Sequence, residues 1–256
     1  MEKLPARVGW LWVKQGLDVF RKQPGALMAL FFSCMFIAML SLFIPLVGGM
    51  APVVLAPLFS VALLQACADI DQGQRALPNL ALAGFRKPVR KPLLLLGVIY
   101  LLVMMLSMML LTLLDDGVLL KMATRQIPMD QELIEKSRSA LFISSVVYMV
   151  GWMLSCLAAP LIYWQKMALG KALFFSVVTV SRDIKAFLTT AVSLFLMFQI
   201  LTAIPVLLFS SAQIELTAIF TIFLMMIVLM HCTLYASYRQ IFGTPDASPA
   251  LSKETP

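Results

Sequence analysis

Charge is scarce in this chain: 20 Lys and Arg and 13 Asp and Glu among 256 residues make 13% of the sequence, about half the roughly 25% of an ordinary globular protein. Histidine is scarcer still, with His231 alone. A single histidine excludes paired-histidine metal sites and the HExxH metallopeptidase pattern, both of which need two imidazoles. Four cysteines, Cys34, Cys67, Cys156 and Cys232, all lie in apolar stretches and none in a loop. A disulfide framework is therefore not expected, and the thiols read as small apolar packing groups.

What is abundant is apolar sequence, 61% of the chain. Charge-free windows run over 23–68, 92–114, 139–165, 186–214 and 216–238, and each can cross a bilayer, which takes about 20 residues. Runs this long exclude a porin-type barrel, whose strands alternate over about 10 residues. The first window is too long for one helix and is interrupted by Pro45, Gly48, Gly49 and Pro52, so it reads as two spans. The expected fold is an all-α polytopic bundle of six spans, at about 25–44, 50–68, 93–114, 140–165, 186–209 and 216–238. Residues 1–240 form one integral membrane domain, and 241–256 read as a disordered cytoplasmic tail.

Basic residues fix the expected orientation, because cytoplasmic loops retain Lys and Arg. The N-terminal segment, the loops around Arg86 and Lys171 and the tail carry sixteen of them; the remaining four, Lys121, Arg125, Lys136 and Arg138, share the 115–139 loop with five acids. Both termini are expected in the cytoplasm and the 115–139 loop outside. The formal charge of +7 points to anionic lipid headgroups rather than nucleic acid, since these residues cluster at span ends. No cleavable signal is expected, because a basic, Trp-containing segment precedes the first apolar run.

Residues 1–24 have the pattern of an amphipathic helix lying in the membrane interface. Trp10, Val13, Leu17 and Phe20 form its expected lipid stripe, Trp12 is a further interface candidate, and Arg7, Lys14 and Arg21 face headgroups. A related pattern, with a glycine, a phenylalanine and basic residues, recurs at Gly84-Phe85-Arg86-Lys87 and from Gly170 to Phe187. The expected unit is a short cytoplasmic-side interfacial helix followed by a hairpin of two spans, used three times. The Trp12-Val13, Gly16, Phe20 and Pro24 opening, the Ile44-Pro45-Leu46-Val47-Gly48 hairpin and Gly84-Phe85-Arg86 resemble a family of uncharacterised proteobacterial inner-membrane proteins. The resemblance covers most of the chain and implies location and six-span topology. It supplies no activity, cofactor or catalytic residue.

Intramembrane chemistry needs ionisable groups at depth, and the expected spans contain no Asp, Glu, Lys or Arg. No GxSxG elbow accompanies His231, which reads as a helix-packing hydrogen bonder and only secondarily as a proton-relay site. Asp115-Asp116-Gly117 is similar to the Asp-Gly start of the alcohol phosphatidyltransferases, but the Ala-Arg and the further aspartates of that pattern are missing. Met104/Met108, Met105/Met109 and Met226/Met230 stand at i, i+4; thioethers suit Cu(I), yet they are also flexible packing groups. Gly151, Ser155 and Ala159 make a small-residue stripe expected to hold a helix-helix contact, and Gln199 is expected to hydrogen-bond across helices. No catalytic, cofactor or metal residue is assigned. The expected function is a non-catalytic membrane protein acting through lipids, through other membrane proteins or as a homo-oligomer, with a small-solute or ion transporter as the alternative.

Overall fold

The computed structural model describes residues 3–44, 48–128, 130–209 and 211–245. Among these, every regular element is helical: α1 (Arg7–Lys22), α2 (Pro24–Ser41), α3 (Ala51–Asp71), a 3-10 segment (Pro78–Phe85), α4 (Arg90–Leu114), α5 (Val118–Ala123), α6 (Gln131–Lys136), α7 (Arg138–Ser155), α8 (Ala158–Gln165), α9 (Leu169–Arg182), α10 (Ile184–Leu208) and α11 (Ala212–Phe242). Six helical stretches are long and apolar enough to cross a membrane: α2, α3, α4, the α7–α8 pair, α10 and α11. The chain is an all-helical, multi-pass membrane protein. Its helices run past the charge-free windows, so α3 includes Asp69 and Asp71, and α11 includes Glu215 and Arg239. These charges stand at the ends of the helices, outside the expected spans. The 241–256 tail is likewise helical as far as Phe242, and its last eleven positions, 246–256, lie outside the described residues.

Local sequence explains several of the boundaries. Pro24 begins α2 immediately after Gln23 leaves the helical region, as suits a residue with fixed φ and no N–H to satisfy. At the acidic-loop end the Asp115 carboxylate accepts the N–H groups of Gly117 and Leu119, and Gly117 takes the left-handed conformation with φ 71°. Asp130 caps α6 by accepting from the Glu132 N–H, the usual service of an Asp at a helix start. Pro45, in the expected first hairpin, lies outside the described residues.

Burial is uneven along the membrane axis. The C-terminal half of α3, all of α8 except its last turn, most of α11 between Val228 and Tyr238 and one face of α1 are buried. Beyond Gly97 of α4, through most of α7 and α10 and in the first half of α11, large apolar side chains face outward. About two-thirds of the most apolar stretch of α3 is buried against 6% of that of α10, so α3 is the central post and α10 a peripheral one. The bundle is thus tight at its basic end and splayed at the other.

Candidate functional site

The splay leaves an apolar cleft of about 700 Å³ between α7 on one side and α10 and α11 on the other, within the range of small-molecule sites. Its walls carry Met149, Met153, Met226 and Met230 with Phe142, Phe195, Phe198 and Phe223, and Trp12 and Phe187 close its basic end. On α11 the lining extends from Phe223 to Ser237, about 21 Å at the rise of an α-helix. Three hydroxyls on the wall donate to nearby backbone carbonyls: Thr190 to Ala186, Thr233 to Leu229 and Ser237 to Leu234. Their polar ends are thereby occupied, and apart from the exposed Ser145 on α7 the cleft presents chiefly methyl, methylene, thioether and aromatic surface. Such a wall can bind hydrocarbon; among the described residues that line it there is no Asp, Glu, His, Lys or Arg.

The floor overturns part of the expectation for the N-terminal helix. Trp12 is completely buried in protein, edge-on to Phe187 of α10 at 5.1 Å, and its indole N–H donates to Gln240 of α11. Phe20 is buried as well, in the core cluster with Leu27, Leu30 and Tyr235. The apolar stripe of α1 therefore runs through Val8, Trp12, Val13, Val19 and Phe20 and faces the spans rather than lipid. Two glycines on that stripe allow the approach: a Cβ on Gly9 would stand 2.2 Å from the Ala186 carbonyl oxygen, and one on Gly16 would stand 2.6 Å from the Thr233 hydroxyl. Arg7, Trp10, Lys14 and Arg21 point outward, with the Lys14 ammonium 5.6 Å from the Trp10 ring.

Beside this floor a polar girdle binds the basic end together. Asp71 accepts from Arg239 and Tyr235 of α11 and from Lys22 of α1, the last two at 3.0 and 3.4 Å, while Arg239 also reaches Gln15 of α1. Two residues earlier on α3, Asp69 accepts from Gln65 at 2.8 Å, and Gln65 accepts the Trp164 indole N–H at 2.8 Å. Leu4 donates its N–H to Asp183, which also pairs with Arg182. These carboxylates are joined to groups of the chain itself, so the girdle clamps α1, α3, α8 and α11. The cysteines are not all isolated: the Cys67 and Cys232 sulfurs, on α3 and α11, are 3.2 Å apart and buried.

The other expected positions are dispersed. Gly151 meets Val103 of α4, the Ser155 carbonyl accepts the Tyr100 hydroxyl at 3.3 Å, and Ala159 is buried in α8. The small-residue stripe thus straddles a break in the fourth span. Pro160 causes it, because it lacks an N–H and its ring opposes the Cys156 carbonyl. Ser176 of α9 then bridges the gap, donating to the Leu154 carbonyl at 2.7 Å and accepting the Leu157 N–H at 3.2 Å. His231 bonds the Ile227 carbonyl one turn back through Nδ1 at 2.8 Å. Gln199 does not hydrogen-bond across helices among the described residues: it lies exposed on the outer side of α10. Met104, Met105, Met108 and Met109 face outward as well.

The chain is 29% identical over 256 aligned residues to a Burkholderia thailandensis protein named as a probable inner membrane protein, with 95% of this chain and 94% of that one covered. No family model and no solved structure matches it. Together with the six apolar helices, the likeness makes this chain a multi-pass inner-membrane protein. The relative's name states a location and no activity.

Proposed function

We propose that this protein is a non-catalytic inner-membrane protein that works through lipid, and that its cleft holds the acyl chain of a phospholipid. The observation that carries the reading is the cleft's wall: about 21 Å long by helix rise, lined by methionine and aromatic side chains, with the hydroxyls of Thr190, Thr233 and Ser237 spent on backbone carbonyls and Ser145 the remaining one. Between splayed membrane helices the hydrocarbon available to fill such a slot is a lipid chain. The basic end supports the choice, because Arg7, Lys14, Arg21, Arg86, Lys171 and Lys185 are exposed there. Each basic residue near an anionic surface adds about 1 kcal/mol of attraction. In this reading the basic end is cytoplasmic, the three pairs of spans α2–α3, α4–α7/α8 and α10–α11 are hairpins, and α1, the 3-10 segment and α9 lie at the inner interface ahead of them.

Transport of a polar solute is the weaker reading. Broken helices often expose backbone groups to a substrate, and the fourth span is broken, but here Ser176 and Tyr100 occupy the groups beside the break. The test is native mass spectrometry of the protein extracted in a mild detergent. Wild type is expected to retain phospholipid after extended detergent exchange, and Ala191→Phe, which fills the cleft, is expected to lose it. Absence of retained lipid from wild type, or equal retention by the folded variant, would overturn the proposal.

A further inference from the structure

Gln199 stands fifteen residues after the start of α10 and nine before its end, about 22 and about 13 Å from the two termini at 1.5 Å per residue. That depth is inside hydrocarbon, beyond the reach of a side chain extending to either surface. Its amide carries two donors and an acceptor, and polar groups in hydrocarbon are satisfied by neighbouring helices or are costly. Among the described residues Gln199 has no such neighbour: it is exposed, and no hydrogen bond from its side chain is found there.

The residues around it form a continuous seam. Val192, Phe195, Leu196, Ala203 and Val206 are all exposed and stand at helical spacing with Gln199 between them, which is the pattern of a helix-packing stripe. Ala203, one turn on, is small enough to let a second helix come close. We propose that this face of α10 is where a second copy of the chain docks, with the two Gln199 amides hydrogen-bonded to each other across a twofold axis. The partner is a second copy because a primary amide is self-complementary. Each donates an N–H to the other's carbonyl oxygen, and an isologous interface brings identical residues together. A phospholipid chain offers the amide nothing at this depth. Of these residues Phe195 alone also lines the α7–α10–α11 cleft, so the inference is tested at positions 192, 199 and 206, which do not.

The experiment is energy transfer between donor- and acceptor-labelled full-length copies reconstituted in phosphatidylglycerol/phosphatidylethanolamine vesicles at decreasing protein-to-lipid ratio. Wild type is expected to transfer at dilutions where Gln199→Leu has lost the signal, and Gln199→Asn, which keeps the amide, is expected to restore it. A second measurement works without removing the glutamine. Single cysteines replacing Val192 and Val206, in a chain whose native cysteines are serine, are expected to cross-link copies under copper phenanthroline. One replacing Ile204, exposed but off the seam, is not. Transfer by Gln199→Leu equal to wild type, a wild type that never associates, or cross-linking equal at positions 204 and 206 would overturn the proposal.

Discussion

Trp12 shows what a side chain's neighbours decide that its type does not. A tryptophan near a membrane boundary suits lipid headgroups and protein interior equally well, since either offers an apolar face and a hydrogen-bond partner for the indole N–H. The expected stripe of Trp10, Val13, Leu17 and Phe20 and the observed one through Val8, Trp12, Val13, Val19 and Phe20 share two members. The discriminating signal was Gly9 and Gly16, seven residues apart on one face, because a helix lying on lipid has no use for that spacing. Close approach of α1 to α10 and α11 does. Replacing Gly16 with Leu drives a side chain into Thr233, and overpacking of this kind costs about 1 to 3 kcal/mol. The variant is expected to melt at lower temperature in detergent, whereas Trp10→Phe, on the exposed face, is expected to match wild type. Equal melting of Gly16→Leu and wild type would show that α1 stands off the bundle.

Among the elements, the six spans were legible because a bilayer demands long apolar runs, and nothing else in the sequence competes with that demand. Their ends were less so. α3 continues through Asp69, 1% exposed, because Gln65 satisfies its carboxylate, and a charge with a partner no longer has to mark the edge of a helix. The break in the fourth span was not read, since 140–165 is one continuous apolar run; Pro160 marks it, but the serine that bridges it lies sixteen residues downstream on α9. Ser176 is completely buried, and removing its hydroxyl orphans the Leu157 N–H and frees the Leu154 carbonyl. An unsatisfied buried group costs about 1 to 3 kcal/mol, so Ser176→Ala is expected to lower the melting temperature and raise hydrogen exchange around 154–157. Unchanged exchange there would mean that the bridge contributes nothing to the kink.

For the whole molecule, the count of basic residues makes a claim about sidedness that geometry alone does not make. In a chain with its native cysteines replaced, Arg86→Cys is expected to resist a membrane-impermeant thiol reagent applied to intact cells, and Asp130→Cys to react; the reverse labelling would invert the topology. The cleft itself was not legible in the sequence, since it arises from the divergence of α7 from α10 and α11, helices contributed by separate parts of the chain. Only Met226 and Met230, at i, i+4 on α11, hinted at a shared apolar face, and their partners Met149 and Met153 stand on another helix.

Trp12 is sealed from the surface yet stands on the floor of the cleft, which makes it a reporter of what fills that space. The measurement is the fluorescence of a variant in which Trp10, Trp152 and Trp164 are phenylalanine, reconstituted in phospholipid brominated along its acyl chains. An occupied cleft predicts strong quenching of Trp12 that Ala191→Phe in the same background abolishes. Trp12 fluorescence equal in brominated and ordinary lipid would contradict the account.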